Sequence, residues 1–416
     1  MGPLGFGIYI HIPYCLQKCL YCDFVTIDLQ RRSSTPPPDE YVSCLLTELD
    51  LRAEDIRSAL SSELPLTSIY FGGGTPSLLA AKDILAVLNK IATLGFSRAP
   101  NCEITIEINP GTIDAEKLDL YLASGVNRFS VGAQTFRDDF LRACGREHTA
   151  QMTRETLRLL SGRNLNFSFD LLFGLPHQNL NDLSDDLSEL IAFSPPHVSL
   201  YNLTVPQNHP MNRGRATDEV QSQMFEVIET ELQAVGLRRY EISNFSKTGF
   251  ESRHNCLYWQ GLPYWGVGIA AHSFLPEVGP FGSRFSNPSS TKVWMNQISG
   301  ASLLQDESPL RFWENLPKAQ VERLFLHEAL TDFFHTHLRQ TRGFSWQEFR
   351  TTLQSFQVEN TYIQKIICLA QTRADELKRT KLIVANDGRI RLTPTGYALA
   401  NAVFLKFTFL PDELRF

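Results

Sequence analysis

Three cysteines in one short segment carry the clearest chemistry in this sequence. Cys15, Cys19 and Cys22 have the spacing C-x3-C-x2-C and directly follow a predicted β-strand. A cubane iron–sulfur cluster normally takes four thiolates. Here the segment supplies three, because the residue two positions after Cys22 is Phe24. The spacing therefore predicts a [4Fe–4S] cluster in which one iron is open to a small chelating ligand.

Two other uses of these cysteines compete with the cluster. A structural zinc site needs four closed ligands, and the nearby candidates for the fourth are His11, in the predicted strand, and Cys44, beyond a polar loop. Eight cysteines in 416 residues are too few for a disulfide scaffold. The sequence shows no signal peptide, so we expect a reducing compartment. The spacing favours the cluster over both alternatives.

The overall composition argues against several classes of function. Hydrophobic residues make up 43% of the chain and charged residues 20%, which is ordinary for a globular protein. The net charge of −6 gives no basic field for nucleic acid, and no apolar run approaches the roughly 20 residues of a membrane helix. We expect a cytoplasmic protein with no nucleic-acid partner, no transmembrane segment and no transit peptide.

Strand-like and helix-like segments alternate through the first half of the chain. Six apolar runs predict strands at 5–12, 68–71, 103–108, 128–133, 167–173 and 198–205. Amphipathic segments predict helices at 39–60, 81–94, 115–124, 151–161 and 180–193. The runs are mostly continuous, as in parallel strands buried on both faces. The alternation predicts an α/β fold with right-handed crossovers, best matched by an open (β/α)6 partial barrel.

The C-terminal part has a different character. Helical patterns from about residue 316 are followed by apolar strands at 381–385 and 389–392, joined by Asn386-Asp387-Gly388, which is a hairpin signal. Helices followed by a small hairpin are typical of a winged-helix module, but no basic recognition helix accompanies them. We divide the chain into a partial barrel (1–210), a segment that completes the barrel (211–315) and a smaller α+β, winged-helix-like module (316–416).

A glycine-rich turn ends the second predicted strand and opens a helix. It reads Phe71-Gly-Gly-Gly-Thr75. Glycines let a backbone approach a ligand closely and adopt positive φ. Exposed amides at Gly73 and Gly74 and the Thr75 hydroxyl could then hold a polar ligand head. A tight turn or a phosphate site would use the same residues.

Polar side chains also mark the later strand ends. Glu107 ends the third strand and could contact an ammonium or ribose group, while its structural alternative is a partner for a lysine or a helix end. Gln134 ends the fourth strand, and Asp170 in the fifth could accept ribose hydroxyls. Arg146 could bind a carboxylate through a bidentate pair of hydrogen bonds. Since barrel-type folds bind ligands at the carboxyl ends of their strands, these residues predict one shared site.

Taken together, these motifs resemble the radical S-adenosylmethionine family. The resemblance is to the branch that contains oxygen-independent coproporphyrinogen III oxidase, and within it to the haem chaperone group HemW. It is close over residues 7 to about 275 and loose in the tail, and it includes the segments 197–204 and 240–245. It implies that Cys15, Cys19 and Cys22 hold the [4Fe–4S] cluster. The S-adenosylmethionine contacts that it implies are Tyr9, Tyr21, Gly73, Gly74, Thr75, Glu107, Gln134, Arg146, Asp170 and Thr204.

Three features set this chain apart from the oxidase and match the chaperone group. Phe24 replaces a fourth cysteine of the oxidase, and the short segment before Tyr9 leads us to expect no N-terminal lid. The segment from Arg253 to Trp259 contains His-Asn-x-x-Tyr-Trp, the group's proposed haem-binding motif, which implies a haem contact at His254. A histidine packed on core aromatics is the alternative. Cys256 and His272 are further candidates.

The resemblance leaves two functions open. The first is a haem chaperone that binds haem, the cluster and S-adenosylmethionine, and delivers haem to a membrane-bound haem protein such as a respiratory enzyme, with control through a homodimer. The second is a radical enzyme that acts on a tetrapyrrole, by oxidative decarboxylation of coproporphyrinogen III or by opening a haem ring. The missing fourth cysteine and the expected absence of a lid favour the chaperone over coproporphyrinogen III dehydrogenase activity.

Overall fold

A single large sheet, as the apolar runs predict, is the central element of the fold. The structure is a computed structural model that describes residues 5–30, 36–60, 64–303 and 311–415. In chain order the strands are β1 (Phe6–Ile12), β2 (Tyr14–Cys15), β3 (Ile27–Asp28), β4 (Leu66–Gly73), β5 (Arg98–Ile108), β6 (Arg128–Gln134), β7 (Phe167–Phe173), β8 (His197–Asn202), β9 (Arg238–Glu241), β10 (Asn244–Ser246), β11 (Tyr264–Val267), β12 (His272–Leu275), β13 (Ser283–Ser286), β14 (Val321–Arg323), β15 (Phe344–Ser345), β16 (Ile383–Asn386) and β17 (Arg389–Leu392).

The strand order confirms the parallel α/β barrel and extends it. Within the described ranges, twelve strands form one sheet in the order β14-β13-β12-β11-β1-β4-β5-β6-β7-β8-β10-β9. All six predicted strands occur, and β1, β4, β5, β6, β7 and β8 are parallel neighbours. The short strand β11, which the sequence analysis missed, pairs in parallel with β1 as a seventh. Antiparallel strands then extend both edges of the sheet.

Helices connect the parallel strands and cover the sheet. Several begin at a side chain that caps the first free amides. Asp114 caps α3, Thr149 caps α5 and Asn179 caps α6. In chain order the helices are α1 (Pro38–Ala59), α2 (Ala81–Thr93), α3 (Ala115–Ala123), α4 (Asp138–Ala143), α5 (Ala150–Ser161), α6 (Leu180–Ala192), α7 (Asp218–Ala234), α8 (Arg253–Trp259), α9 (Thr291–Leu303), α10 (Leu326–Arg339), α11 (Trp346–Ser355), α12 (Asn360–Arg379), α13 (Pro394–Ala398) and α14 (Ala400–Lys406).

The C-terminal module contains the predicted hairpin. β16 and β17 pair antiparallel with Asn386 opposite Arg389, so Asp387 and Gly388 form a two-residue turn. Both turn residues have positive φ, 52° and 71°, as a type I′ turn requires. β15 pairs with β17 as a third strand, and α10, α11 and α12 precede the hairpin. This order matches the predicted helices followed by a small winged sheet.

Apolar side chains form separate cores in the barrel and in the C-terminal module. The barrel core includes Ile8, Ile106, Phe129 and Trp265, all buried against the helices and strands of the large sheet. The module core lies among α10, α11, α12 and the hairpin. The exact domain boundaries at 210 and 315 stay a prediction.

Candidate functional site

The three cysteines of the predicted cluster lie on one loop at the C-terminal end of β1. Cys15 ends β2, and Cys19 and Cys22 follow in a turn closed by the Cys22 amide, which donates to the Cys19 carbonyl at 3.3 Å. The three thiols are free and half-buried. The amide of Leu20 donates to the carbonyl of Cys144 at 3.0 Å and holds the loop against the barrel. One short loop thus presents three sulfur ligands, as a three-cysteine cluster requires.

Polar groups point at two of these sulfurs. The Thr75 hydroxyl lies 3.8 Å from the Cys15 Sγ, and Arg146 Nη1 lies 3.4 Å from the Cys19 Sγ. Arg146 Nη2 also donates to Asn109 Oδ1 at 2.9 Å. Burial raises the pKa of the Cys15 thiol to about 11. Donors of this kind orient and stabilise thiolates around a metal centre.

Arg146 stands at a small cavity of about 90 Å³ beside the cysteine loop. Cys19, Thr75, Asn109 and His148 also line it. The sequence analysis predicted that Arg146 binds a carboxylate through two parallel hydrogen bonds. In the structure the Arg146 guanidinium already contacts Asn109 and the Gly132 carbonyl. Burial is the largest influence on His148, and together with the nearby Arg146 charge it lowers the His148 pKa to about 3, so this imidazole is neutral.

The glycine-rich turn does not expose its amides, and that expectation is wrong. The Gly74 amide donates to the Ile12 carbonyl at 2.8 Å, and the Thr75 amide donates to the Tyr14 carbonyl at 2.7 Å. Gly73 has a φ of 110°, which only glycine adopts readily. The turn therefore fixes the base of the cysteine loop. A ligand amine, which is itself a donor, would have to meet acceptors here.

Glu107 is such an acceptor. Its Oε1 accepts from the Tyr70 hydroxyl at 2.8 Å and its Oε2 accepts from the Gly73 amide at 3.1 Å. The structural alternative for Glu107 predicted a lysine or a helix end as its partner. The observed partners are instead a tyrosine hydroxyl and a backbone amide. Burial raises the pKa of Glu107 to about 7, although both hydrogen bonds oppose the shift. The group is therefore poised between its neutral and charged forms at physiological pH.

Asp170 lies across β6 from Glu107. Its carboxylate accepts from the Ser130 hydroxyl at 3.2 Å and from the Ser168 hydroxyl at 3.2 Å. Burial raises its pKa as well. Glu107, Asp170, Tyr9 and Gly73 all line one large cavity. The structure thus brings together these four residues of the predicted ligand site.

Other predicted residues lie apart from both cavities. Gln134 ends β6 with a φ of 66°, and its Oε1 is buried with no hydrogen-bond partner in the described residues. Tyr21 packs against a small apolar cluster that includes Phe140 and Leu172. Thr204 is exposed and donates to the Asn202 carbonyl at 3.2 Å. None of these three residues lines either cavity.

The large cavity extends from the strand ends to the C-terminal module and has a volume of about 990 Å³. Its barrel wall includes Tyr9, Tyr258 and Tyr264. Its opposite wall comes from α10 and the end of α11, with Phe333 and Phe356 among the lining residues. Ligand cavities in proteins commonly hold about 300–1,000 Å³. The walls offer flat apolar faces that suit a planar aromatic ligand.

His254 is a residue of helix α8, and its side chain is buried. Its Nδ1 is 2.8 Å from the Ser68 hydroxyl and its Nε2 is 2.8 Å from the Tyr258 hydroxyl. Its ring stacks on Tyr70 at 5.1 Å. Burial lowers the His254 pKa to about 3. His254 lines the large cavity, but both ring nitrogens have hydrogen-bond partners.

Sequence reasoning missed several residues that build the site. Tyr70 holds Glu107, and Asn109 bridges Thr75 and Arg146. His11, which the sequence analysis weighed only as a zinc ligand, lies under the glycine turn. Tyr70 precedes Gly72, the first glycine of the motif, by two positions, and Asn109 follows Glu107 by two. The alternation of a strand places such pairs on one face, so this spacing is the signal that could have found them.

The donor set fits the predicted cofactors. Three free thiols on one loop, with a guanidinium and a hydroxyl directed at the sulfurs, suit a three-cysteine iron–sulfur cluster. The buried Gln134 Oε1 without a partner and the poised Glu107 are acceptors that a ligand amine or hydroxyl would satisfy. The aromatic large cavity, which Glu107 lines, has room for a tetrapyrrole.

Comparisons with known proteins agree with this chemistry. The Radical SAM superfamily model matches residues 9–190. A heme chaperone HemW of Haemophilus influenzae is 35% identical over 362 residues, which cover 85% of this chain and 88% of that protein. The HemW of Bacillus subtilis is 30% identical over 96% of this chain and 98% of the relative.

A solved structure shares the fold over nearly the whole chain. The coproporphyrinogen III oxidase HemN from Escherichia coli, a radical SAM enzyme, superposes with a TM-score of 0.74, at 17% identity, over 97% of this chain and 90% of that chain. Among the described helices, none has the length and apolar character to cross a membrane. The extent and identity of the sequence matches show that the chain belongs to the radical SAM superfamily and, within it, to the heme chaperone HemW family.

Proposed function

We propose that this protein binds haem together with a [4Fe–4S] cluster and S-adenosylmethionine, and that it delivers the haem to a membrane-bound haem protein. The observation that carries the proposal is the large cavity, which joins Glu107 and Asp170 at the strand ends to an aromatic wall on the C-terminal module. A tetrapyrrole has the flat apolar faces that such walls accommodate. The chaperone names of the relatives support the same assignment.

The cofactor residues in this proposal are those of the cysteine loop and of the neighbouring strand ends. Cys15, Cys19 and Cys22 hold the cluster, which leaves one iron for the amine and carboxylate of S-adenosylmethionine. Glu107 accepts from the ligand's amine, and Asp170 accepts from its ribose. A bound and reduced cluster would supply single electrons to S-adenosylmethionine.

The remaining predicted S-adenosylmethionine contacts belong to the same proposal. The other residues are Tyr9, Tyr21, Gly73, Gly74, Thr75, Gln134, Arg146 and Thr204. Arg146 and Thr75 keep the sulfurs of Cys19 and Cys15 oriented through their contacts. Tyr21, Gln134 and Thr204 would reach the ligand only if it extends beyond the two cavities.

His254 contributes to the haem site as part of its barrel wall. Its stacking on Tyr70 and its hydrogen bond to Tyr258 order two aromatic rings that line the cavity. A respiratory haem protein as acceptor, control of transfer through a homodimer, and a cytoplasmic location complete the proposal.

An anaerobic assay tests this function. The reconstituted, reduced protein is incubated with S-adenosylmethionine and either haem or coproporphyrinogen III, and bound haem, tetrapyrrole products and 5′-deoxyadenosine are quantified. We expect haem bound in stoichiometric amounts with an unaltered macrocycle, and no decarboxylated product. Failure to bind haem with an intact cluster would contradict the proposal.

A radical enzyme that acts on a tetrapyrrole is the second candidate. One observation favours it: Glu107, Asp170 and Gly73 line the same cavity as the aromatic walls, so a reacting S-adenosylmethionine would face the bound tetrapyrrole. The same assay decides between the two functions. An altered tetrapyrrole that forms with a matching amount of 5′-deoxyadenosine would establish the enzyme.

A further inference from the structure

Both ring nitrogens of the family motif's histidine, His254, are already engaged. An axial ligand donates a lone pair from a neutral imidazole nitrogen. In His254 both nitrogens already lie 2.8 Å from a hydroxyl group, those of Ser68 and Tyr258. Coordination through His254 would break one of these buried hydrogen bonds and leave a buried polar group unpaired, which is costly. Another side chain of the cavity is therefore a better ligand.

His337, on α10 of the C-terminal module, has the arrangement of an axial ligand. Its Nδ1 lies 2.8 Å from the carbonyl oxygen of Phe333, one turn earlier on the same helix. A carbonyl oxygen only accepts, so the proton must sit on Nδ1 and the lone pair on Nε2. Nε2 has no hydrogen-bond partner among the residues that the structure describes. This backbone hydrogen bond on the opposite nitrogen is the usual way in which proteins fix a metal-binding imidazole.

The surroundings of His337 suit a porphyrin. The residue lines the large cavity, and its ring stacks on that of Phe333 with centroids 4.1 Å apart. The Phe281 ring meets the Phe356 ring at 5.5 Å, which brings the β12–β13 connection onto the module beside the same cavity. Burial lowers the His337 pKa to about 4, so the imidazole is neutral at physiological pH.

The two remaining histidines of this cavity, His272 and His11, are less well prepared. His272, at the start of β12, is exposed, and its ring has no hydrogen bond within the described ranges that would fix its orientation. His11 has both ring nitrogens engaged, by Tyr9 and by the Val25 carbonyl. Among the cavity histidines, His337 alone combines an oriented ring with a free Nε2.

We propose that His337 Nε2 is an axial ligand of the haem iron, so that the C-terminal module supplies the metal contact while the barrel supplies the cofactor residues. The proposal rests on haem binding by the large cavity. It gives the module a role that neither the cysteine loop nor the family motif provides. The module would hold the iron from the side of the cavity opposite the barrel strands.

The test compares two probes on the full-length protein with its cluster assembled. Ferric haem and metal-free protoporphyrin IX are titrated into the wild type and His337→Ala, with difference absorbance and electron paramagnetic resonance reporting the iron's spin state. We expect His337→Ala to weaken haem binding about tenfold and to change the spin state. The affinity for protoporphyrin IX should stay unchanged, since it has no iron. Added imidazole should restore the wild-type spectrum.

His335→Ala is the matched control, because His335 lies on the same helix but bonds the Phe404 carbonyl outside the cavity. It should leave both titrations unchanged. A wild-type spin state and haem affinity in His337→Ala would overturn the ligand assignment, as would a loss of the spectral signature in His254→Ala or His272→Ala alone. If the wild type itself binds no haem, the proposed function fails instead.

Discussion

Glu107 is a carboxyl group whose charge depends on what binds beside it. Burial raises its pKa to about 7, while an unfolded chain would leave it near the ordinary value for glutamate. The free protein therefore holds Glu107 partly protonated at neutral pH. S-adenosylmethionine carries a fixed positive charge on sulfur and would favour the carboxylate. Binding should then expel a proton.

We expect the affinity for S-adenosylmethionine to rise as the pH increases through about 7 and to level off above it. Glu107→Gln cannot ionise, so its affinity should change less with pH and should be about tenfold weaker above pH 8, the effect of losing a hydrogen bond to a charged group. Isothermal titration at several pH values measures both effects. Glu116→Gln, an exposed glutamate on α3, should behave as the wild type. Parallel pH profiles for Glu107→Gln and the wild type would exclude Glu107 from this contact.

The sign of the Glu107 shift also predicts a stability effect. Because the folded protein binds the proton more tightly than the unfolded chain, the folded state loses stability as the pH rises from about 4.5 to about 7. Glu107→Gln removes this contribution. Urea unfolding across this range should therefore show a smaller decline for Glu107→Gln than for the wild type. An equal decline would mean that the charge of Glu107 is not disfavoured by folding.

Cys19 tests the ligand set of the cluster. Cys19→Ala leaves two thiols on the loop, too few to hold a cubane cluster. After anaerobic reconstitution we expect the iron and sulfide content to fall to background and the visible absorbance of the cluster to disappear. Cys368→Ala removes an exposed cysteine of the C-terminal module and should keep a full cluster. Wild-type iron content in Cys19→Ala would refute the ligand assignment.

Among the elements, the cysteine loop and the glycine turn depend on each other through His11. The His11 ring is buried, with Nε2 2.8 Å from the Val25 carbonyl at the end of the loop. The same ring lies against Gly73, where an added Cβ would come within 2.5 Å of His11 Cε1. β1, the loop and the turn after β4 are therefore packed as one unit.

Gly73→Ala should disturb this unit. The substitution forces alanine into a φ of 110° and drives its Cβ into a ring that cannot move freely, at a cost of about 1–3 kcal/mol in the free energy of unfolding. We also expect weaker S-adenosylmethionine binding. Gly236→Ala is the control, because Gly236 has a φ of 81° but nothing within 4 Å of the added Cβ. Equal losses in the two variants, measured by urea unfolding, would show that only the backbone angle matters.

Some elements could be predicted from the sequence because their signals are local. The apolar runs of the six strands and the Asp387-Gly388 turn depend on neighbouring residues only, and the structure confirms them. β11 has only four residues and gives no such run. The engagement of the Gly74 amide by Ile12 joins residues 62 positions apart, so no local pattern could reveal it.

The same limit applies to His254. Its motif is local and was found, but its hydrogen bond to Ser68 spans 186 positions and occupies one of its two ring nitrogens. The contacts of the C-terminal module with the large cavity are equally distant in sequence. The cluster ligands could thus be predicted from the sequence alone. The residues that line the cavity could be identified only from the folded structure.

In the whole molecule, α10 ties the C-terminal module to the barrel. Arg339 Nε donates to Glu241 Oε2 at 2.7 Å, and the guanidinium lies 4.3 Å over the Trp259 ring. The Thr341 amide donates to the Tyr240 carbonyl at 3.0 Å. Glu241 is fully buried, so Arg339 is the cation that balances its charge inside the protein. These contacts lie next to the end of α10 that bears His337.

Arg339→Ala should loosen the module because it leaves the buried Glu241 carboxylate without its cation. We expect the free energy of unfolding to fall by about 3 kcal/mol, the cost of breaking a buried ion pair, and haem affinity to fall with it because the cavity loses a fixed wall. Combining Arg339→Ala with Glu241→Gln removes both charges and should recover part of the stability. Arg415→Ala breaks an exposed pair with Asp412 and should cost less than about 1 kcal/mol. Urea unfolding and haem titration of the wild type, the two single variants and the double variant measure these effects. An Arg339→Ala variant as stable as Arg415→Ala would show that the Arg339–Glu241 ion pair does not hold the C-terminal module to the barrel.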